Sequence, residues 1–133
     1  MSCSGPTACT SVGTWNGTGR YHALAERWDG TAWSRQRVPN QPDFQDSELA
    51  GVSCPDGSTC VAVGFWAKSK YGRGAAILAE RWDGQAWTLE SPPEPPGNGG
   101  LMAIDCASAM ACVAVGDAYA PGGTITLVEV YSG

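Results

Sequence analysis

The chain repeats itself three times. The stretch from Val52 to Trp87 reads VSCPDGSTCVAVGFW, a loop, then LAERWDGQAW. Upstream, SCSGPTACTSVGTW…LAERWDGTAW begins at Ser2, and downstream, DCASAMACVAVGD…LVEVYSG begins at Asp105. Self-similarity on this scale confines the fold to units that stack on their neighbours, because one such unit cannot bury its apolar surface alone. The register follows from position. First cysteines stand at 3, 54 and 106, and the glycine ending the next strand stands at 13, 64 and 116, both spaced by 51 and 52. The leucine opening the following strand stands at 24, 78 and 127, so the second repeat carries three extra residues in the intervening loop. Insertions of this kind belong in surface loops.

Each repeat reads as four short strands. The first covers 49–54 and 101–106 in the second and third repeats, and a five-residue turn, PDGST in the second, leads to CVAVGFW. Its unbroken apolar character suits a strand packed on both faces. A glycine-bearing loop follows, and in the first repeat Asn16-Gly17 predicts the tight turn. The third strand is HALAERW, AILAERW or ITLVEVY, and WDG delivers the fourth, TAWSRQRV or QAWTLES. Proline-rich runs, VPNQPDFQDS and SPPEPPGNGG, cannot pair inside a sheet and read as connectors. Helical periodicity is absent.

Four antiparallel strands in tandem at about 52 residues are the pattern of a β-propeller blade. The expected fold is therefore all-β, with blades at 1–40, 49–92 and 101–133, the last lacking its fourth strand. With SC-x5-CxAVG and LAERWDGxxW in its repeats, the chain resembles kelch-like and Asp-box-like propeller repeats of secreted bacterial proteins over essentially its whole length. The resemblance implies that the loops after the second and fourth strands share one face, where ligands sit. Propellers close with about four to eight blades. The expectation is that two copies associate into six blade-equivalents, or that the chain is an excised part of a longer propeller.

Cys3 and Cys9, Cys54 and Cys60, and Cys106 and Cys112 form one C-x5-C pair per repeat. Zinc prefers closer pairs or added histidines, and the only histidine, His22, lies outside every pair. Three local disulfides are the favoured reading, with reduced core cysteines as the alternative. Disulfides imply an oxidising compartment and hence secretion. No charged or apolar leader is visible between Met1 and the first repeat, so the expectation is a trimmed mature segment or an excised piece with an added methionine. No apolar run approaches the roughly 20 residues that span a bilayer. A net charge of −5 argues against nucleic acid and anionic membranes as partners. No cofactor or metal is expected.

Catalysis needs one asymmetric constellation, and the recurring residues are copies. Glu26, Glu80 and Glu129 share a position and read as hydrogen-bonded structural acids. Trp28, Trp33, Trp82 and Trp87 read as fillers between units. His22 has no nucleophile motif beside it, and Asn16-Gly17-Thr18 matches a glycosylation acceptor of a kind that arises by chance. The candidate ligand-binding residues are those near the variable loops: Trp15, Arg20, Tyr21, Trp66, Lys68, Lys70, Tyr71 and Arg73. The expected function is a secreted, non-catalytic recognition or scaffold module for a protein or carbohydrate ligand. Its rivals are a lectin with shallow repeated sites and a fragment of a propeller enzyme.

Overall fold

Alternating β-branched and small residues between Gly- and Asp-containing turns leave little choice but hairpins. The computed structural model describes residues 1–42, 44–67, 75–93, 98–120 and 122–131, which form eleven strands and no helix. They fall into three antiparallel meanders. The first sheet holds β1 (Ser2–Gly5), β2 (Ala8–Gly17), β3 (Arg20–Trp28) and β4 (Trp33–Gln36). The second holds β5 (Asp46–Asp56), β6 (Thr59–Ala67), β7 (Ala76–Trp82) and β8 (Trp87–Leu89). The third holds β9 (Asn98–Ser108), β10 (Ala111–Ala120) and β11 (Gly123–Tyr131). One parallel bridge, Tyr21 to Asp46, joins the first sheet to the second. The sheets do not close on one another.

Successive sheets pack face to face. Ala23 and Ala25 of the first sheet meet Leu49, Cys60, Ala62, Leu78, Trp82 and Trp87 of the second in one core. Val63, Ile77 and Ala79, on the opposite face of the second sheet, meet Leu101 and Ala114 of the third. The middle sheet is thus apolar on both faces, which explains its unbroken apolar strands. In each junction the first strand of the later sheet crosses the earlier one: β5 lies on β1, β2 and β3, and β9 on β5, β6 and β7.

The fastenings recur with the repeat. Ser2 Oγ accepts the Cys54 N–H at 2.9 Å, and Ser53 Oγ accepts the Cys106 N–H at 3.0 Å. Arg27 donates to the Gly57 carbonyl at 2.9 Å, and Arg81 donates to the Ala109 carbonyl at 3.1 Å. The recurring glycine has a shared cause. Pairing skips a residue between Leu49 and Gly51, and again opposite Val115 and Gly116. At these bulges Gly64 lies against the backbone of Glu48 and Leu49, and Gly116 against that of Gly100 and Leu101, leaving no room for a Cβ. Gly13 meets no such neighbour.

All three expected disulfides are present: Cys3–Cys9, Cys54–Cys60 and Cys106–Cys112. No cysteine is free. Each closes a hairpin shorter than the five-residue turn the sequence suggests. In the second sheet the strands run to Asp56 and resume at Thr59, with Asp56 Oδ1 accepting from the Ser58 N–H and hydroxyl. The Asn16-Gly17 turn is also displaced. Gly17 still pairs with Arg20, and the chain reverses at Thr18 (φ 58°) and Gly19 (φ 79°). Two successive positive φ angles suit the twist of a two-residue hairpin. Gly17 is needed for another reason, because the Trp15 indole lies where its Cβ would be.

Candidate functional site

The end of the β2–β3 hairpin collects aromatic and cationic side chains. Trp15 and His22 are cross-strand partners, and their rings stack at 4.5 Å between centroids with planes 18° apart. The Arg35 guanidinium lies over the same indole, 4.9 Å from its centre, and Phe44 meets His22 edge-on at 5.3 Å. Arg20 in turn sits 5.9 Å from the Phe44 ring and donates to the Phe44 carbonyl. The cluster is therefore a row of three rings, Trp15, His22 and Phe44, with a guanidinium at each end that gains from a ring face.

Beside it is a cavity of about 180 Å³ lined by Trp15, His22, Leu24, Arg35, Arg37 and Asn40, among others. His22 Nε2 and Asn40 Oδ1 are buried without a hydrogen-bond partner. Among the described residues the only ion pair is Arg81 with Glu90 at 2.9 Å, so Arg35 and Arg37 carry no paired carboxylate there. Tyr21 is exposed, and its backbone N–H donates to Asp46 Oδ1 at 3.1 Å. Burial, with Asp46 nearby, raises the Glu48 carboxyl above its ordinary range.

Three of the sequence candidates, Trp15, Arg20 and Tyr21, thus occupy one hairpin end. Trp66 is part-buried against the core between the first two sheets. Lys68, Lys70, Tyr71 and Arg73 lie outside the described residues. His22, Arg35 and Phe44 complete the cluster and are missed by motif reasoning. A signal for two of them exists in the repeat itself: the second sheet has Ala76 where the first has His22, and Leu89 where the first has Arg35. Strand formation does not require these polar groups.

A second recess, of about 250 Å³, lies at the same end of the second and third sheets, with Phe65 and Tyr119 as aromatic walls and Asn98 and Asp117 as polar groups. Ring faces with adjacent hydrogen-bonding groups can hold a flat, partly polar ligand.

One of the three repeated acids, Glu80, departs from the hydrogen-bonded role expected of it. Glu80 has no exposed surface, and neither carboxylate oxygen has a hydrogen-bond partner. It points into the junction between the first and second sheets, on the face that carries Leu78 and Trp82, with Ala62 and Leu89 as its strand neighbours. Burial pushes its pKa up to about 8, so the group is protonated at neutral pH. The aspartates of the WDG turns shift the other way. Asp29 Oδ1 accepts the N–H groups of Thr31 and Ala32, and Asp83 Oδ1 those of Gln85 and Ala86, all at 2.8–2.9 Å. These bonds favour the ionised form and lower both pKa values. Gly30 and Gly84 supply the positive φ that each turn requires.

Comparison with protein-family models, with curated proteins and with solved structures found no match.

Proposed function

We propose that this is a secreted, non-catalytic recognition or scaffold module whose three sheets are β-propeller blades, with recognition groups presented at the loop ends. The observation that carries the reading is the repeated junction. The same serine-to-amide and arginine-to-carbonyl bonds fasten the second sheet to the first and the third to the second. A rule of packing used twice by equivalent residues is what a ring of blades needs. The first strands of successive sheets lie together, as the inner strands of neighbouring blades would. Three intrachain disulfides are compatible with an extracellular protein.

A crystal structure of the assembled protein tests the blade reading. Sheets radiating from one axis, with β1, β5 and β9 nearest to it, are expected. A flat pile of parallel sheets would refute it. A carbohydrate-binding role is the second reading, favoured by the recess between Phe65 and Tyr119 with its polar Asn98 and Asp117. A glycan array decides it: retained sugars that Tyr119→Ala releases support this reading, and uniform silence ends it.

A further inference from the structure

The two outer faces of the stack differ from the inner ones in a paired way. On the face covered by the third sheet, Val61, Val63, Ile77 and Ala79 of the second sheet are 0–1% exposed. Register places Val113, Val115 and Val128 of the third sheet at the positions of Val61, Val63 and Ala79. These three are 43–56% exposed, and Val130 beside them is 70% exposed. Two residues on this open face have become acids. Asp105 stands where the second sheet has Ser53, and Asp117 where it has Phe65.

At the other end, the first sheet leaves open the face whose counterpart in the second is buried. Leu24, Trp28 and Trp33 correspond to Leu78, Trp82 and Trp87. The two tryptophan pairs have nearly the same geometry, with ring centroids 5.8 Å apart and planes at 44° and 45°. Yet Trp33 is 44% exposed and Trp87 only 4%. Here two residues have become basic or proton-accepting, His22 for Ala76 and Arg35 for Leu89, while the acid Glu26 is common to both sheets. One open face therefore carries valines and two acids. The other carries leucine, tryptophans, an arginine, a histidine and the acid Glu26.

We propose that a second copy of this chain docks its first sheet onto the third sheet of the first copy, and that two such contacts related by a twofold axis close six sheets into one ring. This rests on the blade reading above. The inner junctions specify the contact. Val115 and Val128 pack on Leu24, Val130 covers Trp28 as Arg27 covers Trp82, and Asp105 accepts the Cys3 N–H as Ser53 accepts that of Cys106. Asp117 meets the Arg35 guanidinium, which leans over Trp15 toward the same end of the strands. Exposed valine faces of this breadth aggregate unless covered, and Asp117 against Arg35 favours this pairing over contact between two third sheets, in which the acids of one would meet those of the other.

Sedimentation equilibrium on the full chain and its variants tests the docking. Val128→Lys changes an exposed residue, so the variant folds, and it raises the dimer dissociation constant by about 100-fold or more. Asp117→Arg raises it by about tenfold, and adding Arg35→Asp to the same chain restores most of the loss. Dimers indifferent to Val128→Lys, or a double variant weaker than Asp117→Arg alone, overturn the proposal. A monomer whose crystal structure still shows sheets radiating from one axis also overturns it, and leaves the blade reading standing.

Discussion

Replacing Glu80 with glutamine removes a proton-binding event that is coupled to folding. In the folded protein the carboxyl is fully buried, without a hydrogen-bond partner, and titrates near pH 8, against an ordinary value of 4.5. Between those values the folded chain holds a proton that the unfolded chain has released. Stability from this group is therefore fully present below about pH 4, declines as pH rises, and is gone above about pH 8.5. At 1.36 kcal/mol per pKa unit, the decline from pH 5 to pH 8.5 is about 4 kcal/mol. For a domain of 133 residues that corresponds to roughly 12–20 °C in Tm. Glu80→Gln keeps the shape and does not titrate. Its stability at pH 5 lies at or somewhat below that of the wild type, since a buried amide without partners costs about 1–3 kcal/mol. At pH 8.5 the order reverses. The assay is urea unfolding followed by tryptophan fluorescence at half-unit pH steps, with no free thiol present to reshuffle disulfides. Wild-type and variant curves that stay parallel from pH 5 to 8.5 would refute the reasoning, because they would mean that Glu80 is ionised in the fold.

Gly64→Ala and Gly116→Ala should each cost about 3 kcal/mol or more in chemical unfolding, because the new Cβ meets backbone across a bulge. Gly13→Ala, at the equivalent position with open space around it, should be neutral or stabilising by about 0.5 kcal/mol; equal costs at all three positions would contradict the bulge account. Asp83→Ala should lower Tm and flatten its acid dependence, since a carboxylate with a lowered pKa contributes stability that is lost as pH falls through the folded value; melts from pH 2 to 6 read this. Replacing Cys54 and Cys60 together with serine opens a loop with a sequence separation of 6 and should cost about 2 kcal/mol by chain entropy, measured by urea unfolding.

Much of the strand order was legible because repetition made each repeat a check on the others. The AILAERW strand has the bounds its sequence suggests, 76–82. Each C-x5-C pair forms its own bridge because six residues return the chain across one tight hairpin. Turn positions were less legible. Asn16-Gly17 has the composition of a hairpin turn, but the space taken by the Trp15 indole claims Gly17, and the reversal moves to Thr18-Gly19. The hydrogen-bonded role expected for Glu80 failed because strand alternation aims it into an apolar junction, which no single-repeat pattern reveals. The hairpin-end cluster was half legible. Trp15, Arg20 and Tyr21 adjoin the variable loop, whereas Arg35 and Phe44 arrive from β4 and the connector beyond it. Their proximity depends on pairing of β4 with β3, which places Arg35 opposite Glu26.

If the rule by which equivalent sheets stack continues past the open faces of a single chain, two chains must associate. Sedimentation equilibrium of the unmodified chain between about 1 and 100 μM, a range that brackets ordinary specific contacts, tests it most directly. The expected result is a mass twice the 13.8 kDa of one chain. A single-chain mass across that range, with the third-sheet valines facing water, would contradict it.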